Sequence, residues 1–255
     1  MSGHRLLTAV VAGLVAGASQ LANAADLETA PLPVAAPVST VVAPAYSWTG
    51  CYVGAQAGFG ALEDGYTGAV NPGVINPVTG TPTSNVPNQW GFGALGGAQV
   101  GCNYQIGHFV IGIESDAWGS SLKTQSNFIT FGNSQQASTK NPWDFDLTAR
   151  AGAAFDHLFF YAKAGGVFGS FNYNFTSFGP AQAGSSTSPG IVLGMGAEYA
   201  MTPDWTVKAE TDFLAFTSSN VNLACNAACA GPSASTSTIS ATEILFKLGA
   251  NYKFY

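Results

Sequence analysis

The sequence predicts an all-β fold, an eight-stranded antiparallel transmembrane β-barrel of up-and-down topology, preceded by a signal peptide and a Pro-rich periplasmic leader. Three observations carry this. The chain ends on an unbroken period-two alternation. Eight runs of strand length are separated alternately by long and short connections. All charges inside those runs fall on one of the two faces. In the last stretch Ile244, Phe246, Leu248, Ala250, Tyr252 and Phe254 share one face, and Glu243, Leu245, Lys247, Gly249, Asn251 and Lys253 share the other, because side chains alternate along a strand. A greasy face opposite a charged face suits a strand with lipid outside and a polar lumen inside.

The N-terminus reads as an export signal. His4 and Arg5 precede an apolar run from Leu6 to Ala18, and Ala22-Asn23-Ala24 is a small-residue cleavage site, so residues 1–24 are expected to be removed after Ala24. Residues 25–45 carry Pro31, Pro33, Pro37 and Pro44; such a tract cannot join a sheet ladder and is expected to be an extended periplasmic leader. Residues 46–255 are assigned to the barrel. Only 9% of residues are charged, whereas Gly numbers 31 and Phe 17, a composition foreign to disordered tails and ordinary soluble domains. Loss of Arg5 with the signal leaves 7 Lys and Arg against 14 Asp and Glu, 7 − 14 = −7, which excludes nucleic acid as a partner.

The runs extend over Trp48 to Ala61, Gln89 to Tyr104, Phe109 to Leu122, Trp143 to Phe155, Phe159 to Asn172, Gly190 to Met201, Trp205 to Phe216 and Thr242 to Phe254. Each has the ten or so residues a tilted spanning strand needs. The connections at Gln105 to His108, Asp156 to Leu158 and Thr202 to Asp204 have tight-turn length. Those at Leu62 to Asn88, Thr124 to Asn141, Tyr173 to Pro189 and Thr217 to Ala241 are long and rich in polar and turn-forming residues. Turns in the periplasm and loops outside are the pattern of outer-membrane barrels.

Parity assigns the interior. Glu114, Asp116, Asp144, Asp146, Arg150, Lys163, Glu198, Lys208, Glu210, Asp212, Glu243, Lys247 and Lys253 lie opposite the apolar faces of their runs and form the expected lumen ion-pair network. Alignment of strand ends places Gln99 near Glu114, Glu198 near Lys208 and Glu114 near Arg150, with Asp146 as a second partner for the Arg150 fork. Two roles are open to this set, a filter for small cations or a hydrogen-bonded plug, and the narrow interior of an eight-stranded barrel favours the plug. On the outward parity, Trp90, Phe92, Tyr104, Trp143, Phe155, Tyr199, Trp205, Tyr252 and Phe254 sit mostly at run ends, where interfacial girdles belong. Phe128, Phe131, Tyr173, Phe175 and Phe178 continue the alternation into the extracellular segments.

Four cysteines in an exported chain permit disulfides. Cys51 and Cys102 share parity near the periplasmic ends of neighbouring strands, and Trp48 opposite Gln105 would set them face to face. Cys225 and Cys229 could close a small loop, and with no His or carboxylate beside them a metal site is the poorer alternative. The mature histidines, His108 and His157, fall in periplasmic turns, remote from an outer rim where a nucleophile could use them. No catalytic, cofactor-binding or metal-binding residues are therefore assigned.

The segments WTGCYVGAQAGFG (Trp48 to Gly60), GGAQVGCNYQ (Gly96 to Gln105), EYAMTPDWTVKAE (Glu198 to Glu210) and KLGANYKF (Lys247 to Phe254) resemble the alphaproteobacterial outer-membrane surface antigens, porin-family proteins with an OmpA-like membrane domain. The resemblance spans the mature chain. It implies an abundant outer-membrane component of the kind often labelled porin, some of whose relatives bind hemin. With the lumen read as a plug, the expected role is mainly structural, in envelope integrity, with exposed loops; the alternatives are a narrow porin for small solutes or a hemin-binding protein. Expected partners are outer-membrane lipid, the barrel-assembly machinery and peptidoglycan or other envelope components. Such barrels end on an aromatic assembly signal, carried here to Tyr252 and Phe254, with Tyr255 as one residue beyond it.

Overall fold

Two-sided strands of this kind have no stable open edge, and closure into a ring removes both edges at once. The computed structural model describes residues 46–67, 89–130, 133–176, 182–225 and 235–254. The signal peptide and the leader lie outside them, as do Tyr255, Cys229, Phe131 and Phe178. The strands are β1 (Gly50–Thr67), β2 (Gln89–Ile106), β3 (Phe109–Thr130), β4 (Asn133–Phe155), β5 (Leu158–Thr176), β6 (Gln182–Ala200), β7 (Trp205–Phe216), β8 (Ser219–Cys225) and β9 (Ser235–Phe254). Each pairs antiparallel with its neighbour, and β1 closes the ring against β9 from Cys51↔Phe254 to Thr67↔Thr238.

The ring has eight positions although nine strands are described, because the seventh position is broken. Thr217 donates from both its backbone nitrogen and its hydroxyl to the carbonyl of Pro189, at 2.8 and 2.9 Å. Proline has no N–H to return to the ladder. The chain resumes as β8, which pairs with β9 and touches β6 at Gln182↔Cys225 and Ala183↔Ala224.

Strands run farther than the bilayer requires. About ten residues cross the hydrocarbon, and β4 has 23, so the β3–β4 and β5–β6 hairpins project on the loop side. On the opposite side the connections are tighter than their sequence suggested: Ile106↔Phe109 and Phe155↔Leu158 are the last pairs, leaving two-residue turns at Gly107–His108 and Asp156–His157. Gly107 and Asp156 take positive φ, 62° and 54°, as turns matched to strand twist demand. In the second turn the His157 ring bonds to Asp156 at 2.8 Å and holds its exposed carboxyl below the usual range.

The tight first turn corrects one expected neighbour. With Gly107–His108 as the turn, Gln99 stands opposite Asp116, and Gly101 rather than Gln99 stands opposite Glu114. The pair Glu198↔Lys208 lies in register as expected. Burial alternates along β2 and β7 with inward residues covered and outward residues exposed, and all nine girdle aromatics are exposed. Among the described residues, the charged side chains on the outward face of strands are Glu63, Lys123 and Lys140, at the loop-side girdle, where Glu63 stands opposite Trp90 and Lys123 opposite Phe92.

Candidate functional site

Inward-facing side chains fill the lumen in three levels. At the periplasmic mouth the segment before β1 folds back over the opening. Trp48, placed by the sequence in the first strand, precedes it instead: its backbone nitrogen donates to Gln105 Oε1 at 2.7 Å and its indole Nε1 to the Asp156 carbonyl at 3.0 Å. Only 2% of Trp48 is exposed, and its ring packs 5.2 Å from that of Phe159. Lys253, expected in the central network, belongs to this level, with its Nζ donating to the Ser47 carbonyl and lying 4.5 Å from the Tyr46 ring centroid.

The central level is ionic. Arg150 on β4 places Nη1 3.1 Å from Glu114 of β3, Nη2 3.1 Å from Glu198 of β6 and Nε 2.9 Å from Asn103 of β2. Its guanidinium lies 4.8 to 5.3 Å from the ring centroids of Tyr52, Tyr161 and Phe159. The second carboxylate of the fork is thus Glu198, across the lumen, and not Asp146. The reason is geometric: Asp146 is four residues up the same strand, roughly 13 Å at strand rise, whereas β6 lies only two positions around a small ring and its inward side chains come within reach of Arg150.

Lys163 lies 2.7 Å from Glu210, 2.9 Å from Asp116 and 3.2 Å from Asp212, with Asp146 at 3.9 Å. Lys208 bonds Glu114 at 3.1 Å and Glu210 at 3.4 Å, and Lys247 forms an ion pair with Asp212 at 2.8 Å. Neutral groups take up further oxygens. Tyr161 donates to Glu210 at 2.7 Å and Tyr52 to Glu114. Thr206 and Asn251 donate to Glu198, while Gln99 donates to Asn251. Carboxylates buried this deeply would be prohibitively costly without such partners.

Toward the loops the lining turns apolar. Lys247 sits 3.9 Å above the Trp118 ring, beyond which Leu62, Leu122, Phe171, Val192, Leu214 and Leu245 form the principal buried cluster. Tyr173, read as an extracellular aromatic, points inward there and is 2% exposed. Asn141 Nδ2 bridges Asp144 and Glu243, and Thr124 donates to Asp64 at 2.7 Å.

One trio of carboxylates, Glu114, Asp116 and Glu210, brings oxygens within 4.8 Å of one another, the spacing a metal ion could use. The ammonium groups of Lys163 and Lys208 already contact all three at 2.7 to 3.1 Å, so the position a divalent ion would need is filled by cations of the chain itself.

Sequence reading missed several members of the interior: Tyr52, Asp64, Asn103, Asn141 and Thr206. For Tyr52, Asn103 and Thr206 the signal was present, since each shares parity with the inward residues of its run, as Tyr161 does beside Lys163. Asn141 had no such signal, because a bulge beside Pro142 reverses the alternation. Outside the lumen, Cys51 and Cys102 stand directly opposite each other and are disulfide-bonded. Cys225 ends β8, and its expected partner Cys229 lies outside the described residues.

A closed antiparallel ring with charges inside, apolar side chains outside and an aromatic band at each end defines an outer-membrane β-barrel. The chain belongs to the family described as outer membrane protein beta-barrel domain, which matches residues 10–254. It is 31% identical over 211 residues to the 31 kDa outer-membrane immunogenic protein of Brucella melitensis, covering 79% of this chain and 83% of that protein. Against the 25 kDa outer-membrane immunogenic protein of Brucella canis it is 28% identical over 206 residues, covering 81% and 82%. Among solved structures, the outer membrane protease OmpT from Escherichia coli superposes with a TM-score of 0.51 at 7% identity, covering 84% of this chain and 99% of that one, a likeness of fold alone. The protein is accordingly an outer-membrane surface protein of a Gram-negative bacterium.

Proposed function

We propose that this barrel is a sealed membrane-spanning surface protein that supports the envelope and displays its four long connections outside without conducting solutes. The observation that supports this best is the continuity of the filling, from Trp48 at the periplasmic mouth, through the Arg150 and Lys163 ion pairs, to the Leu122, Phe171 and Leu245 layer. A selectivity filter works on charges bathed in water; here Arg150, Glu114, Lys163 and Asp116 are all 3% exposed or less. The hemin alternative gains no support: Tyr173 is inside the barrel, and His108 and His157 occupy the periplasmic turns. Those same positions leave the outer rim without a histidine to act as general base, and no enzymatic role is proposed.

Tyr252 and Phe254, outward-facing on the closing strand, are proposed as the recognition signal for the assembly machinery, and the leader as a tether to peptidoglycan or another envelope component. Planar-bilayer recording of the refolded protein tests the central claim. No steady conductance steps are expected, and a reproducible ohmic channel would overturn it. A hemin titration run beside it should show no saturable shift of the Soret band.

A further inference from the structure

The outward face changes character abruptly on β3 and β4. Below the change lie Trp143, Phe145 and, on β5, Phe168, all exposed as lipid-facing residues are. Above it stand Ser121, Lys123 and Gln125 on β3 and Lys140 on β4, also exposed. Lys123 and Lys140 are direct cross-strand partners. Their other registered neighbours are Phe92 on β2 and Asn172 on β5, so no carboxylate adjoins either lysine in its row. Like charges directly opposite each other destabilise a sheet.

Lys140 faces outward only because of an irregularity. Trp143 is outward, and strict alternation from it would turn residue 140 into the lumen. The register instead shifts between Lys140 and Trp143 against both β3 and β5, at Pro142, which cannot donate to a ladder. Bulges re-aim side chains; this one sends Asn141 inward to bridge Asp144 and Glu243 and Lys140 outward to face Lys123. Lys123 Nζ meets Gln125 Oε1, a neutral acceptor, at 3.1 Å.

We infer that Lys123 and Lys140 form a binding site for the phosphorylated headgroup of the outer-leaflet glycolipid, whose acyl chains then lie along Phe92, Trp143 and Phe168. The pair sits at the level of the loop-side girdle, with Lys123 opposite Phe92, at the depth where the headgroups of that leaflet begin, and an anionic oxygen between two ammonium groups removes the repulsion that the register otherwise imposes. Asn172 and Gln125, beside the pair on the same face, can bond the remaining headgroup oxygens. The occupant is a lipid rather than a free anion because the basic row is continuous with an apolar face that takes its chains.

The test uses refolded full-length protein and a Lys123→Gln/Lys140→Gln variant, with folding of each verified by heat-modifiable gel mobility. Co-sedimentation with phosphatidylcholine vesicles doped with bisphosphorylated lipid A is compared with the dephosphorylated lipid. Wild type should retain the phosphorylated lipid preferentially. The variant should lose that preference, by roughly fivefold for each lysine and about 25-fold for the pair, the contribution expected of a lysine at an anionic surface. Equal retention of both lipids by wild type, or equal preference in wild type and variant, would overturn the inference. So would full displacement of the lipid by millimolar inorganic phosphate, which would reveal a free-anion site. If the double variant does not fold, the single Lys123→Gln change, outside the bulge, should still show the fivefold loss.

Discussion

Arg150 and Glu198 belong to β4 and β6, two positions apart around the ring, yet their side chains meet at 3.1 Å inside the barrel. With Glu114 on β3 and Asn103 on β2 bonded to the same guanidinium, one side chain ties four strands together. The planar fork of arginine permits this, since its donors diverge in fixed directions.

The outward face should resist charge according to depth. Ala149 lies on the lipid face midway between the girdle residues Trp143 and Phe155 of the same strand, and Ser121 lies on the outward face beside Lys123. Arginine at the bilayer midplane costs about 2–4 kcal/mol and near the interface about 0–1. Ala149→Arg should therefore reduce the folded fraction in lipid vesicles sharply, while Ser121→Arg leaves it near wild type. Similar yields for the two would contradict the placement of the membrane.

The disulfide joins β1 to β2 beside the seam where β1 meets β9, since Cys51 also stands opposite Phe254. Its sequence separation of 51 corresponds to about 4 kcal/mol of lost unfolded-chain entropy in the simple loop-closure picture. Cys51→Ser should lower the urea midpoint accordingly. Mass spectrometry of wild type, unfolded and alkylated without reductant, should find Cys51 and Cys102 unmodified.

Gly101 tests how the interior is packed. It faces inward between Tyr52 and Glu114, and a Cβ there would lie 2.3 Å from the Tyr52 hydroxyl and 2.7 Å from the Ile113 carbonyl. Gly101→Ala should displace the phenol, break its bond to Glu114 and destabilise the barrel by about 1–3 kcal/mol, the usual effect of overpacking. Gly119→Ala is the control, because its added carbon would find only the Pro142 carbonyl at 3.7 Å. Equal urea midpoints for the two variants would mean that the lumen is looser than described.

Much of this was legible because a strand has only two faces. Once Glu114 and Asp146 were read as inward, parity placed Arg150, Lys163, Lys208 and Lys247 with them, and alignment of the periplasmic strand ends, Trp48 opposite Gln105, paired Cys51 with Cys102. Parity is blind to depth, and so it did not separate Lys253 at the mouth from Lys247 at the centre. Nor does it report contacts across the ring, which is why Asp146 stood in for Glu198. The remaining misses trace to breaks in the alternation. Pro142 and Pro189 each interrupt a ladder, reversing parity at Asn141 and dividing the seventh position into β7 and β8. Trp48 reads as the first residue of the first strand and is a plug because the chain turns before Gly50, a path set by hydrogen bonds to Gln105 and Asp156.

Replacing Arg150 distinguishes a sealed barrel from a pore in a single preparation. In a sealed interior Arg150→Ala leaves Glu114 and Glu198 without their guanidinium, and removal of one partner from a buried ion pair costs about 3–5 kcal/mol. Lys208 and Thr206 still contact these carboxylates, so the loss should fall toward the lower end, with conductance absent before and after because Trp48 and the Leu122 layer remain. Arg150→Lys should recover part of the stability: it restores the charge, but an ammonium on a shorter stem cannot reach Asn103, Glu114 and Glu198 together. In a hydrated pore the same carboxylates would already be solvated; Arg150→Ala would then barely move the urea midpoint, while conductance or cation preference would rise. Unfolding and single-channel recording on the same refolded samples measure both quantities. A clear drop in midpoint with silent recordings is the expected result, and an unchanged midpoint with increased conductance would require the sealed-barrel proposal to be abandoned.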